Sequence, residues 1–150
     1  MAANESTAFA GALYEADFLE WTEEMARRLE SCQTEGLDWQ HLAEEIRDLG
    51  NSQRNALCSH LGNLLLRLIK WEIQPERRGR SWEDSISNSR REIDFLLDRT
   101  PSLNSYLASN FDRSYERARR NAFRETHLPL DTPCTRWNQE QALDLGFLPD

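Results

Sequence analysis

Apolar residues recur along the chain at steps of three and four, the spacing that places side chains on one face of an α-helix. The first such series consists of Tyr14, Phe18, Trp21, Met25, Leu29 and Cys32. Asp17 is the predicted N-cap of this helix, because a short acidic side chain can accept a hydrogen bond from the unpaired amides of a first turn. Glu20 follows three residues later, as in a capping box, and Gly36 falls in the turn after the helix.

The longest apolar series follows Asp38, which is a second helix-start signal. Its members are Leu42, Ile46, Leu49, Gln53, Leu57, Leu61, Leu64, Leu68 and Trp71. The segment Gly50–Asn51–Ser52 lowers helix propensity but does not change the phase of the series. The pattern predicts either one long kinked helix or two nearly coaxial helices, from Asp38 to about Ile73.

Two further helices are predicted beyond Pro75 and Gly79, which end the long element. Ser81 is the predicted cap of the first, whose apolar series is Trp82, Ile86, Ser89, Ile93 and Leu96. Pro101 closes that helix and Ser102 begins the next. The last helix carries Leu107, Phe111, Tyr115, Ala118 and Ala122 on one side.

The two ends of the chain differ from this pattern. We expect residues 1–12 to form a flexible N-terminus, since disorder concentrates at chain ends. Residues 129–150 contain three prolines together with Trp137, Leu143, Leu145 and Phe147, which predicts an irregular tail packed on the other helices, with one helical turn from Asn138. No segment has the alternation of a strand. The fold class predicted for residues 1–150 is therefore all-α, a single-domain helical bundle.

Charge divides the chain unevenly. Of the 26 acidic residues, 12 lie in residues 1–50, against only three basic residues, and the net charge of the whole chain is −8. This balance argues against general attraction to nucleic acid or to an anionic membrane, although a local basic patch is compatible with it. Arginine accounts for all the basic residues except Lys70. A GC-rich genome explains that bias, and so does bidentate recognition of carboxylate or phosphate.

The sequence also predicts a location. The longest purely apolar run is Leu64–Leu65–Leu66, far short of the roughly 20 residues of a membrane-spanning helix. The N-terminus lacks the basic and apolar regions of a secretory signal. The three cysteines are widely spaced and odd in number, which suits a reducing compartment. We therefore expect a cytoplasmic protein without a membrane partner.

Two arginine-rich segments are candidate binding sites for an anion, a nucleic acid or a protein partner. The first joins two predicted helices and contains Lys70, Trp71, Gln74, Arg77, Arg78, Arg80 and Trp82. Its aromatic planes and guanidinium groups can stack a base or hold a phosphate. In the alternative interpretation, both tryptophans close the end of the core and the arginines are solvated or paired with nearby glutamates.

The second segment is one line on the last helix, formed by Arg113, Arg117, Arg120 and Arg124. That line could follow a phosphate backbone, or be the ordinary solvated face of an amphipathic helix.

A metal site has weaker support. His41, Glu44 and Glu45 lie close enough on one helix to share a metal ion. A di-iron bundle needs a second Glu-x-x-His motif, which this sequence lacks. We favour no metal and no cofactor.

Several motifs carry a resemblance to a known family. In the first half they are Tyr14-x-x-Asp17-Phe18-x-x-Trp21, Leu37-Asp38-x-x-x-Leu42-x-Glu44-Glu45-Ile46 and Leu65-x-x-Leu68-x-Lys70-Trp71-x-x-Gln74-Pro75-x-x-Arg78-x-x-Ser81-Trp82. The second half adds Arg90-Arg91-Glu92-Ile93, Pro101-Ser102-Leu103, Tyr115-x-x-Ala118, Glu125-Thr126-x-Leu128 and Leu148-Pro149. Together they resemble the bacterial Domain of Unknown Function family twenty-nine. The resemblance implies a small all-helical bacterial protein with no established activity. Arg67 stands where such proteins often have histidine, and Thr132–Trp137 is a shortened form of the family's cysteine- and proline-containing stretch.

The functional prediction follows from what the sequence contains and lacks. Phosphate-binding loops, nucleophile elbows, zinc spacings and dinucleotide fingerprints are missing, so the sequence leans against an enzyme. The leading hypothesis is a protein-interaction or regulatory module that binds a protein partner or itself. One alternative is an RNA- or single-stranded nucleic-acid-binding component of a defence or toxin–antitoxin system. The other is a metal-assisted hydrolase using His41, Glu44 and Glu45, with Arg78 or Arg91 stabilising negative charge.

Overall fold

A computed structural model describes the backbone of residues 2–150 and the side chains of residues 5 and 7–150. The described helices are α1 (Ala2–Ala16), α2 (Phe18–Glu30), α3 (Trp39–Ile73), α4 (Arg80–Arg99), α5 (Leu103–Thr126) and α6 (Gln139–Leu143), with a short 3-10 turn at Pro75–Arg77. Residues 2–150 contain no strand, so the predicted all-α fold class is confirmed. Among the described residues, no helix has both the length and the apolar character needed to cross a membrane.

The chain divides into two compact units, Met1–Asn51 and Ser52–Asp150. They are called here the N-terminal unit and the C-terminal unit. Helix α3 contributes residues to both, since its range crosses the boundary.

The N-terminal unit has a small core. Its buried apolar side chains are Ala10, Trp21, Met25 and Leu37, with Leu13, Tyr14 and Leu42 packed against them. Helix α1 covers residues 2–16, so most of the segment predicted to be a flexible terminus is helical. The physical reason is that α1 packs against the small core through Ala10, which is only 3% exposed, and packing of this kind stabilises a helix that would be marginal alone. Met1 lies outside the described residues.

The first predicted helix is two helices in the structure. Asp17 has an extended backbone, and its Oδ1 accepts a hydrogen bond from the Glu20 amide at 3.0 Å, so it is confirmed as the N-cap of α2. Tyr14 therefore belongs to α1, and the apolar series that begins there crosses a helix boundary. Phe18 and Leu29 are about half exposed, so this apolar series is not buried throughout.

Helix α3 begins directly after Asp38, as predicted, and Asp38 Oδ1 accepts a hydrogen bond from the His41 amide at 3.4 Å. It continues for 35 residues without a break at Gly50, so the single-helix alternative is the observed one. Its apolar series is not buried throughout. Ile46 and Leu49 are 65% and 70% exposed, whereas the positions from Leu57 onward lie in the core.

The C-terminal unit has the larger core, built by α3, α4, α5 and the tail. Helix α4 begins two residues earlier than predicted, with Gly79 rather than Ser81 as its N-cap. The Gly79 carbonyl accepts hydrogen bonds from the amides of Trp82 and Glu83, so the backbone starts this helix without a side-chain cap. Ser81 instead lies exposed in the first turn.

The tail packs on the core of the C-terminal unit, as predicted. Trp137 and Ala142 are buried in that core. Asn138 begins α6 with a complete capping box, because its side chain accepts from the Gln141 amide and the Gln141 side chain accepts from the Asn138 amide. The predicted helical turn from Asn138 is therefore present.

Candidate functional site

Three residues of the segment Lys70–Trp82 are held by contacts with other parts of the C-terminal unit or with one another. Trp71 is 7% exposed and belongs to the core. Arg78 donates a hydrogen bond from Nε to the Trp71 carbonyl at 2.8 Å, and its guanidinium lies 5.5 Å from the Trp71 ring centre. Lys70 pairs with Glu125, and this hydrogen bond lowers the pKa of the Glu125 carboxyl.

The rest of this segment is more open. Trp82 is half-buried against the core, and the Arg67 guanidinium lies 5.9 Å from its ring centre. Gln74 is half-buried, whereas Arg77 and Arg80 are exposed. The structure thus brings Arg78 into contact with Trp71, whereas the cation beside Trp82 is Arg67. This arrangement favours the interpretation in which the tryptophans close a core.

The arginine line of α5 borders a groove. Arg113 and Arg117 line a depression of about 500 Å³ between α5 and the part of α3 that belongs to the C-terminal unit. Arg120 and Arg124 lie one and two turns further along the same exposed face. The other lining residues are Asn55, Cys58, Ser59, Tyr106, Asn110, Ser114 and Asn121. Sequence reasoning found the arginines but missed these neutral residues, although Asn110 and Asn121 have helical spacing to Arg113 and Arg117.

His41, Glu44 and Glu45 do not converge on one point. His41 Nδ1 lies 2.6 Å from Asp38 Oδ2, Glu45 accepts a hydrogen bond from the Tyr14 hydroxyl at 2.6 Å, and Glu44 accepts from Gln40. Among the described residues, no group of three or more histidine, cysteine or acidic side chains is arranged to hold a metal ion. The geometry therefore offers no support for the metal-assisted hydrolase.

Asp38 instead organises a buried polar network in the N-terminal unit. Besides His41, its Oδ2 accepts a hydrogen bond from Trp21 Nε1 at 3.3 Å, and the Asp38 residue is 4% exposed. The hydrogen bond to Asp38 raises the pKa of His41. Tyr14 stacks on the His41 ring at 3.8 Å, and its hydrogen bond to Glu45 raises the pKa of Tyr14 to about 12. The network joins α1, α2 and the start of α3 through polar contacts.

A second groove lies between α1 and α2, with a volume of about 580 Å³. Phe9, Leu13 and Ala26 provide apolar surface in it. The polar lining consists of Glu20, Glu23, Glu24, Arg27 and Glu30. Glu24 is paired with Arg27 and Arg28, and these hydrogen bonds lower the pKa of its carboxyl. Sequence reasoning missed this groove, because α1 was not predicted.

Arg90 is the most buried charged side chain of the C-terminal unit, at 3% exposure. Its guanidinium donates to the carbonyl oxygens of Ala142, Leu145 and Phe147 at 2.9, 3.4 and 2.8 Å. Burial lowers the pKa of Arg90. This residue fastens the tail to α4.

The tail is also held on its opposite side. Tyr115 donates to the Thr135 carbonyl at 2.7 Å, and the Thr135 amide donates to Glu72 at 2.7 Å. Burial raises the pKa of the neighbouring Cys134 thiol, which disfavours the thiolate that a nucleophile needs. All three cysteines are free.

Comparison with known proteins identifies a family without an assigned activity. Residues 13–148 match the family described as Domain of unknown function DUF29. No curated protein matches the chain significantly. No solved structure does either. Because the match covers almost the whole chain, the protein belongs to the DUF29 family.

Proposed function

We propose that the protein is a cytoplasmic protein-interaction module, whose N-terminal unit binds a basic, amphipathic helical segment of a regulatory partner. The observation that carries this proposal is the groove between α1 and α2. It combines the apolar surface of Phe9 and Leu13 with the carboxylates of Glu20, Glu23 and Glu30.

The charge of the groove supports a basic ligand. Among the described residues, Glu20, Glu23 and Glu30 have no ion-pair partner. Glu20 and Glu23 are one turn apart on α2, so their like charges repel each other. A partner with lysine or arginine at matching positions relieves this repulsion and is attracted from a distance.

The apolar surface supports an amphipathic ligand. Phe9, which lines the groove, is 67% exposed. This large apolar side chain remains in water although the unit has only a small core. Exposed apolar surface that lines a groove is typical of interaction sites. A helix with one apolar and one basic face matches both properties of the groove.

The cysteines support the location. All three are free, and Cys32 is exposed, which fits a reducing compartment.

The test uses two synthetic helical peptides with the same leucine face, one with lysine and one with glutamate on the polar face. Isothermal titration calorimetry should detect binding of the lysine peptide only. The double variant Glu23→Gln/Glu30→Gln should weaken binding about tenfold, since each lost charge pair contributes up to about 1 kcal/mol. The matched control, Glu83→Gln/Asp98→Asn on α4, removes the same charge outside the groove and should bind as the unmodified protein does.

Two results would contradict the proposal. Equal binding of both peptides would show that charge does not select the partner. Failure of the lysine peptide to bind a chain that sedimentation velocity finds to be dimeric would indicate self-association instead.

A further inference from the structure

The groove between α3 and α5 of the C-terminal unit has a composition that the proposed function does not use. Two of its lining residues, Arg113 and Arg117, are cationic, and the lining contains no carboxylate. Asn55, Asn110 and Asn121 supply neutral amides. The surface is therefore positive and polar, in a chain whose net charge is −8.

The arginines form a continuous cationic line. Arg113, Arg117, Arg120 and Arg124 are all exposed, and their Cα atoms span about 16 Å along α5 at 1.5 Å per residue. Within the described part of the chain, Arg113, Arg117 and Arg120 form no ion pair. Arg124 donates a hydrogen bond to the amide oxygen of Asn121 at 3.1 Å. Like charges at this spacing destabilise a helix, so a polyanionic ligand relieves a cost already present in the fold.

Neutral groups beside this line can contact bases. The Asn55 and Asn121 amides carry both donors and acceptors, which is what the edge of an unpaired base requires. Tyr106 contributes an aromatic ring to the groove, and the Arg54 guanidinium lies 5.7 Å from the centre of that ring. Aromatic rings and guanidinium planes are the usual stacking surfaces for single-stranded bases.

From this juxtaposition we propose that the α3–α5 groove binds a single-stranded nucleic acid. Its phosphates follow Arg113, Arg117, Arg120 and Arg124, and its bases reach Tyr106 and the asparagine amides. A duplex fits less well, because its base edges are already paired and withdrawn from a groove of this kind. An acidic polypeptide would satisfy the arginines but would leave the ring and amides unused.

Fluorescence anisotropy with labelled single-stranded RNA and DNA of mixed sequence tests this proposal. Four phosphate contacts predict an affinity that falls about 50-fold between 50 and 200 mM salt, since each contact to a single strand contributes about 0.7 to the logarithmic slope. The double variant Arg113→Gln/Arg117→Gln retains two contacts and should lose affinity only about sevenfold over the same range. Both side chains are exposed, so the variant should keep the far-ultraviolet circular dichroism of the unmodified chain.

A matched control removes the same charge elsewhere in the unit. Arg77→Gln/Arg99→Gln changes two exposed arginines outside the groove and should keep the full salt dependence. Tyr106→Leu should weaken binding at every salt concentration without changing the slope, because it removes stacking rather than a charge.

Three results would overturn the proposal: no binding of either nucleic acid at 50 mM salt, equal losses in the groove variant and its control, or displacement of the RNA by polyglutamate at equal charge concentration. The last result would indicate an acidic polypeptide as the ligand. None depends on the peptide groove between α1 and α2, so this experiment and that of the proposed function can fail separately.

Discussion

The two units contain the same kind of element but differ in how they are held together. The N-terminal unit buries a few apolar side chains and relies on the polar contacts of Asp38, whereas the C-terminal unit encloses a large apolar core. Their grooves also differ in sign, one rich in carboxylates and one in arginines. A unit with a small core opens at lower free energy, so partner binding changes its stability more. The contrast shows that two all-helical units of one chain can be stabilised differently, one mainly by apolar burial and one with a large share of buried polar contacts.

The largest effect should come from truncating the apolar core of the C-terminal unit. We expect Trp71→Ala to lower the free energy of unfolding by about 3–5 kcal/mol, because it leaves a large cavity in the core. Urea denaturation followed by circular dichroism measures this change. Trp82→Ala is the comparison, and since Trp82 is only half-buried it should cost about 1–2 kcal/mol. Equal midpoints for the two variants would contradict the burial difference.

The next effect concerns the tail of the same unit. Arg90→Ala removes the donors for three carbonyl groups and should cost about 2–4 kcal/mol. Faster proteolysis within residues 138–150 should accompany the loss. Arg91→Ala is the matched control, because that neighbouring arginine is exposed. If both variants resist protease equally, Arg90 does not hold the tail.

In the N-terminal unit, the third effect comes from substituting a buried polar residue. Asp38→Ala removes the side-chain acceptor for the His41 amide at the start of α3 and leaves Trp21 Nε1 without its acceptor. We expect it to lower the free energy of unfolding by about 2–3 kcal/mol. Asp17→Ala removes only an exposed cap and should cost about 1 kcal/mol. Hydrogen exchange of the α2 amides should report both changes. Protection of α2 that is unaffected by Asp38→Ala would show that the network is dispensable.

The smallest effect depends on pH. Because the pKa of His41 is raised in the folded protein, protonation of His41 stabilises the fold fully below its ordinary pKa of about 6.5. That stabilisation is lost as the pH rises through the raised pKa. We therefore expect His41→Gln to destabilise the protein more at pH 6 than at pH 9, as measured by urea midpoints. In an Asp38→Asn background the difference between the two pH values should shrink, because the largest cause of the raised His41 pKa is removed.

Helix starts that depend on a local side chain were predictable from the sequence. Asp17, Asp38 and Asn138 each accept a hydrogen bond from an amide within the next three residues, so the signal is local. Gly79 was missed as a cap because its backbone alone begins α4. Helix α1 was missed because its apolar face is short and becomes evident only beside Trp21.

In the candidate sites too, features within one helix could be predicted from the sequence, and contacts between distant segments could not. The arginine line of α5 was visible because residues on one helix have a fixed spacing. Asn55 could not be associated with it, since it lies on α3, more than 50 residues earlier in the chain. The contact of Arg90 with the tail could not be predicted, because its partners are backbone carbonyls, which every residue carries.

The attachment of the tail through carbonyl groups has an evolutionary consequence. Arg90 contacts the backbone of residues 142, 145 and 147. These hydrogen bonds therefore do not depend on which side chain stands at the exposed position Leu145. The spacing of the three carbonyls is what matters. Side-chain replacements at position 145 should accumulate freely among descendants of this gene. Inserting or deleting one residue between positions 142 and 147 shifts the acceptors out of register and should be removed by selection.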